Sequence, residues 1–276
     1  MEKSTTKYYG KHNFILPTLE SIKRAMNDKL NEKEKKLILP LSNNNDSFHT
    51  LLYKPVNIPQ KGEWLYEQKE SGQTFKSYSG GMLSSPSKNI NKVYINILNN
   101  DCNFIDQEVL DIFTLFINNY YPGLYCSIMK KHCSFEELGI QPRENGYLQY
   151  NAGATIQKLK SFIPKDGIFI IGLSVRDIYP REEWNFCYGL ADKMSGCGVF
   201  SIIRHYDESK TKYDDKKLIR ISAIYQTAYT LIHEIGHLLG LKHCTYYDCI
   251  IRGCNHSEEV FNKFYCPVCM CKLYWN

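Results

Sequence analysis

The 276-residue chain has no run approaching the roughly 18 consecutive apolar residues that a membrane-crossing helix needs. Its first residues, MEKSTTKYYGKHNFILPTLE, lack the apolar core of a signal peptide. The expectation is a protein inside the cell, in the cytoplasm or also the nucleus, with no membrane partner. Charge of one sign is lacking too: 34 Lys and Arg stand against 29 Asp and Glu, and the net +5 is spread along the chain rather than gathered in a stripe. A dedicated nucleic-acid surface is therefore not indicated, and no nucleic-acid partner is expected. No internal repeat of useful length is present. The hydrophobic fraction of 43% is enough for a packed core, and the length suits one large domain with elaborations.

Cysteine is abundant by contrast. Of eleven, six (Cys244, Cys249, Cys254, Cys266, Cys269, Cys271) fall in the last 33 residues. Without a secretory signal such a cluster reads as thiols and metal ligands rather than as a disulfide framework.

Residues 1–90 carry little pattern and read as an N-terminal extension, partly helical and partly flexible. A charged helix candidate, LESIKRAMNDKLNEKEKKL, has a solvated face in NDKLNEKEKK. The polar PLSNNNDSF follows, and the Gly/Ser/Pro/Asn stretch from Ser77 to Asn91 reads as a flexible connection. From residue 91 to 276 the pattern is α/β, with a mixed central sheet. VYINIL (93–98) and LYCSIM (124–129) are strand-like and flank the helical period of IDQEVLDIFTLFINNYY. A helix candidate, ATIQKLKSFI, precedes GIFIIGLSV (167–175), a continuous apolar run suited to a buried strand. After a loop, RDIYPREEW, the segments NFCYGLA and GVFSIIRHY suggest a hairpin or edge strands. A long apolar helix candidate, LIRISAIYQTAYTLIHEIGHLLGL, comes next.

That helix ends in HEIGHLLGLKH. Residues four apart share one helix face, so His233 and His237 can present both imidazoles to one ion with Glu234 beside them. Gly240 can adopt a left-handed conformation and turn the chain so that His243 becomes a third ligand. Three neutral imidazoles leave one open position on a tetrahedral zinc, the arrangement of a catalytic site. A zinc-bound water activated by Glu234, first as general base and then as acid, would hydrolyse an amide. The HExxH core alone is a weak signal. Its extension by a glycine and a third histidine is the metzincin signature, which is far more specific.

Directly after His243 the chain reads CTYYDCIIRGCNHSEEVFNKFYCPVCMC. Cys266 and Cys269 in CPVC have zinc-knuckle spacing, and Cys244 and Cys249 supply a second pair. Four thiolates would make a closed, structural site that contributes folding energy. Spacing leaves the ligand choice open, because Cys254 and Cys271 compete.

The run HEIGHLLGLKHC…C…NHSEE…CPVC resembles the archaemetzincins, a family of zinc metallopeptidases. RDIYPREEWNFCYGLADKMSGCGVFSIIRHY and, further upstream, WLYEQKESGQTF (64–75) are also similar to the family's pattern. The resemblance implies a metzincin-like zinc peptidase with a mixed central sheet, a long active-site helix and a C-terminal four-cysteine zinc subsite within 244–271. It implies two zinc ions per chain: a catalytic one on His233, His237 and His243 with Glu234 as base, and a structural one on Cys244, Cys249, Cys266 and Cys269. Cys254 and Cys271 stay outside. One departure is Ile251, where the family commonly has a methionine likened to a floor under the zinc site; isoleucine is apolar and of similar volume. The segment between Cys249 and CPVC is also shorter than usual.

In metzincins the strand before the zinc helix borders the cleft, and an extended peptide can pair with a sheet edge. Gly196, Cys197, Gly198, Val199, Phe200 and Ser201 are the substrate-binding candidates on that ground. Trp184 and Phe186 are expected as core anchors. His256 and Glu258 are expected only to cap or orient the second site, and His12, His49, His132 and His205 to take structural or surface positions. The leading function is a zinc metallopeptidase acting on a peptide or protein. The alternative is a non-catalytic, zinc-stabilised module that binds peptide or protein.

Overall fold

The computed structural model describes residues 8–9, 11–12, 14–26, 53–81, 84–98, 104–255 and 263–275. The charged run 27–36, the polar stretch 40–48, His49, His256 and Glu258 lie outside the described residues. The chain forms two compact units, Met1–Leu83 with Gly240–Asn276, and Ser84–Leu239. The first is therefore discontinuous, whereas the sequence suggests a single linear boundary near residue 90.

The discontinuous unit contains a short antiparallel pair, β1 (Tyr8–Tyr9) and β2 (Phe14–Ile15), and the helices α1 (Leu19–Ala25), α2 (Trp64–Glu67) and α3 (Phe75–Ser79). Thr74 caps α3 by accepting from the Ser77 N–H, and Tyr78 is buried, so the start of the expected flexible connection is in fact ordered helix. Phe14, Val56 and Leu65 form a small apolar core with Leu16 and Trp64 against it.

The continuous unit is built on a five-stranded sheet of β3 (Lys92–Ile97), β4 (Tyr125–Ile128), β7 (Gly167–Ser174), β9 (Gly189–Asp192) and β10 (Cys197–Ser201), in the order β4-β3-β7-β10-β9. The first four in that order run parallel, and β9 is antiparallel to β10, so the sheet is mixed. β7 reads as an unbroken apolar run because both faces are covered; Phe169, Ile170, Ile171 and Leu173 are all buried. Between β3 and β4 lies α4 (Gln107–Tyr120), started by Asp106, whose carboxylate accepts from the Val109 N–H at 3.1 Å. Its buried residues Val109, Phe113 and Ile117 recur every four positions, which is the helical stripe that the sequence displays.

A second sheet is not legible in the sequence. β5 (Arg143–Glu144) and β6 (Leu148–Asn151) pair antiparallel, and β6 pairs parallel with β8 (Asp177–Tyr179), inside the segment expected as a loop. Strands of two to four residues offer no periodicity to read. The helix α5 (Ala152–Leu159), capped by Asn151, follows β6 directly. The expected hairpin is present as β9 and β10, but the IIRHY end of its second arm begins the helix α6 (Ile203–Lys212) instead of extending the strand.

The helix α7 (Lys216–Leu238) starts at Asp215, whose side chain accepts from the Lys217 and Leu218 N–H groups. Ile224, Leu231, Ile232, Ile235 and Leu238 are among its buried residues, and each such side chain contributes about 1.5–3 kcal/mol by leaving water. Among the described residues, no helix is long and apolar enough to cross a membrane.

Candidate functional site

The last turns of α7 carry His233, Glu234 and His237. The two histidine Nε2 atoms lie 3.0 Å apart with the rings nearly perpendicular, at 82°. Two ring nitrogens this close cannot both carry protons; bare, they converge on one point as ligands of one cation do. Glu234 is half-buried. Burial pushes its carboxyl up to about 8, opposed by a hydrogen bond from the Ala191 N–H on β9.

Two glycines make room here. A Cβ on Gly189 would stand 2.7 Å from Phe200 Cδ1 and 3.3 Å from Glu234 Cγ, and one on Gly198 would stand 2.9 Å from Phe200 Cε2. The buried Phe200 ring thus lies across bare backbone of β9 and β10, close to the glutamate.

Gly196 to Ser201 do not form an edge. β10 is hydrogen-bonded to β7 on one side and to β9 on the other, and Cys197–Ser201 are buried throughout. Their main-chain groups are already used, so Gly196, Cys197, Gly198, Val199, Phe200 and Ser201 cannot pair with an extended peptide as expected. Among the described residues the strand beyond them, β9, is the edge. Sequence reasoning misses it because the pattern shows that two strands alternate around a turn but not which of them is interior.

Behind the histidines, His205 is buried. Its Nε2 lies 2.9 Å from Thr230 Oγ1, one turn before His233, and its ring stacks on Tyr188 at 4.5 Å. Burial lowers its pKa, with Glu208 opposing. Asp177, also buried, accepts from Arg204 Nε through both oxygens at 3.1 Å and from Gln149 at 2.7 Å. Phe186 is half-buried, with the Arg204 guanidinium 4.1 Å from its ring centre, and Trp184 is 45% exposed, so neither is the core anchor expected; the Trp184 carbonyl accepts from Arg143. His132 accepts the Ile97 N–H, and His12 bonds the Glu67 carbonyl, which are structural positions.

Gly240, with φ of 96°, turns the chain directly after α7 into the discontinuous unit. His243 follows three residues later. Its Nδ1 lies 2.8 Å from Glu70 Oε1, and its ring meets Trp64 edge-on at 5.0 Å.

In the same unit the sulfurs of Cys244, Cys249, Cys266 and Cys269 all lie within 4.8 Å of one another, and all four residues are buried. Cys244 and Cys266 sulfurs are 3.6 Å apart. A tetrahedron with metal–sulfur bonds of about 2.3 Å has edges of about 3.8 Å, so the donor set fits zinc and is too wide for a disulfide. Burial and the neighbouring thiols push Cys249 and Cys266 well above the ordinary thiol range. At Cys244 hydrogen bonds from the other three overcome burial and hold it well below that range. Four sulfurs gathered at this spacing in a buried place suit a soft cation. The Cys266 N–H donates to Cys249 Sγ, and α8 (Pro267–Trp275) carries Cys269. Cys254 and Cys271 are not in this group. The loop between the first two cysteines is tied to residues 54–56: the Asp248 N–H donates to the Lys54 carbonyl and the Val56 N–H to the Tyr246 carbonyl. Ile251 is buried, and its carbonyl accepts from the Cys244 N–H.

Comparison with known proteins gives consistent matches. A family model, Peptidase family M54, matches residues 90–274. Archaemetzincin-2 of Homo sapiens is 28% identical over 276 residues, covering 89% of this chain and 75% of that protein. Archaemetzincin-2 of Pongo abelii is 30% identical over 255 residues, covering 80% and 69%. Among solved structures, an archaemetzincin from Methanopyrus kandleri superposes with a TM-score of 0.53 at 19% identity, over 69% of this chain and 97% of that one. A zinc-dependent peptidase from Methanocorpusculum labreanum gives 0.50 at 20% identity, over 66% and 99%. Both are similar to this chain in their mixed α/β fold.

Proposed function

Because the chain belongs to Peptidase family M54, the archaemetzincins, and is a zinc metallopeptidase, we propose that it cleaves peptide bonds at a zinc ion held by His233, His237 and His243, with Glu234 carrying the proton. We further propose a second, structural zinc on Cys244, Cys249, Cys266 and Cys269. The finer fold reading goes with this: a metzincin-like catalytic domain over 91–276 with α7 as its active-site helix, and residues 1–90 as an extension. The family match over 90–274 supports that division.

The observation that carries the reading is the approach of His233 and His237 to 3.0 Å on the helix that also carries Glu234, whose carboxyl accepts from the Ala191 N–H of the edge strand β9. When bound, zinc supplies Lewis acidity to the scissile carbonyl and a positive charge that favours the ionised form of Glu234. The ionised carboxylate takes a proton from water as the water oxygen bonds to the carbonyl carbon. The same carboxyl then passes that proton to the amine nitrogen as the C–N bond breaks. Main-chain pairing of an extended peptide with β9, in place of the interior β10, would bring its backbone alongside this carboxyl.

The four cysteines close their tetrahedron and leave no position for substrate, so their role is to stabilise the fold. Membership of a peptidase family does not favour the binding-module alternative. The test is hydrolysis of a quenched-fluorescent peptide library by the zinc-loaded chain, with loss of activity on chelation and return on adding zinc. Turnover that persists in the chelated chain, with zinc shown to be gone, would refute the proposal.

A further inference from the structure

Trp64, Glu70 and Gln73 stand ahead of the residues matched by the family model, yet Glu70 and Gln73 bond to the turn that carries His243 and the Trp64 ring packs edge-on against that histidine. Glu70 Oε1 lies 2.8 Å from His243 Nδ1 and also accepts from Trp64 Nε1 at 2.9 Å. An ionised carboxylate only accepts, so an ionised Glu70 would place the proton on His243 Nδ1 and make Nε2 the ligand atom. Gln73, 5% exposed, grips the turn from both sides: its Nε2 donates to the Gly240 carbonyl at 3.0 Å, and its Oε1 accepts from the Lys242 N–H at 3.2 Å. The packing is close, since a Cβ on Gly253 would stand 2.5 Å from Trp64 Cδ1 and 2.8 Å from His243 Nδ1.

We infer that Glu70 is a positioning residue for His243, selecting its tautomer and ring orientation, and that Trp64 and Gln73 complete a brace supplied by the N-terminal segment. The inference rests on His243 being the third ligand of the proposed catalytic zinc. A carboxylate on the far nitrogen of a metal-binding histidine orients the ring and raises its basicity, and losing it typically weakens metal binding by about 10- to 100-fold. An ordinary ion pair at this place would stabilise the fold without setting the tautomer.

The experiment compares the whole, zinc-loaded wild-type chain with Glu70→Ala, Glu70→Gln, Trp64→Phe and His243→Ala. Two quantities are read: the Nδ1–H resonance of the His243 ring by ¹⁵N-edited NMR, and zinc affinity by chelator competition. A slowly exchanging Nδ1–H is expected in the wild type. In Glu70→Ala it should disappear, and zinc binding should weaken by about 10- to 100-fold. Glu70→Gln keeps an acceptor oxygen, so the resonance should survive with a smaller loss of affinity. If Glu70→Ala does not fold, Glu70→Gln and Trp64→Phe decide: a several-fold loss supports the brace, and unchanged affinity in both overturns it. A folded Glu70→Ala with wild-type affinity overturns it too, whether or not the resonance moves. Zinc content unaffected by His243→Ala would overturn the histidine site itself. Zinc lost in His243→Ala but retained at full affinity in Glu70→Ala would overturn only the role of Glu70.

Discussion

Replacing Gly189 with alanine puts one methyl group into the tightest contact near the proposed catalytic carboxyl. The added carbon would lie 2.7 Å and 2.9 Å from two atoms of the Phe200 ring, against an ordinary carbon–carbon separation of about 3.5–4.0 Å. The ring must therefore retreat by about 1 Å. It has little space to do so, because it is fully buried and its other edge already lies against Gly198. Overpacking of this kind costs about 1–3 kcal/mol. The same methyl stands 3.3 Å from Glu234 Cγ, so the carboxyl shifts with it. Misplacement approaching 1 Å lowers a rate by up to about 10²-fold. Urea unfolding of the zinc-loaded chain and kcat/KM on a peptide substrate should both fall in Gly189→Ala, and Phe200→Leu in the same chain should return part of the stability. An unchanged unfolding midpoint together with unchanged kcat/KM would refute the reasoning.

His205 makes stability depend on pH. Burial depresses its folded pKa, so its neutral form is the native one. The stability that it contributes is present above the unfolded value of about 6.5 and is lost as pH falls from there toward the folded pKa, at no more than about 1.4 kcal/mol per pH unit. Unfolding free energies at pH 7 and pH 5 should differ less in His205→Gln than in the wild type; equal slopes would contradict this. Cys244 directly follows His243 in the chain, so Cys244→Ser is expected to remove the structural zinc and also to weaken binding at the histidines. Metal titration that finds the histidine site unaltered would count against that coupling.

The large elements are legible because each is long enough to repeat its pattern. The apolar run of β7, the four-residue stripe of α4 and the length of α7 all follow from which faces are covered. The histidine group is legible because its spacing is local, whereas spacing alone leaves the choice among six cysteines open and the resemblance to a family narrows it. The second sheet is not, since β5, β6 and β8 are too short for any period to show. Interior or edge position in a sheet is set by long-range pairing, so the local pattern presents β10 as an edge and hides β9. Glu70 lies 173 residues from His243 in the chain, and a lone glutamate between Lys69 and Ser71 carries no mark of a partner so distant. Its neighbour in space, Trp64, stands out in the sequence only through its likeness to a family pattern.

The central claim is that Glu234 moves the proton at a zinc held by the histidines. Glu234→Gln keeps the side chain's shape and removes its charge, so the most direct measurement is kcat/KM for peptide hydrolysis by this variant, with zinc content determined on the same sample. Full zinc content with activity lowered by about 10²- to 10⁴-fold is the predicted result; full zinc content with undiminished hydrolysis would contradict the account.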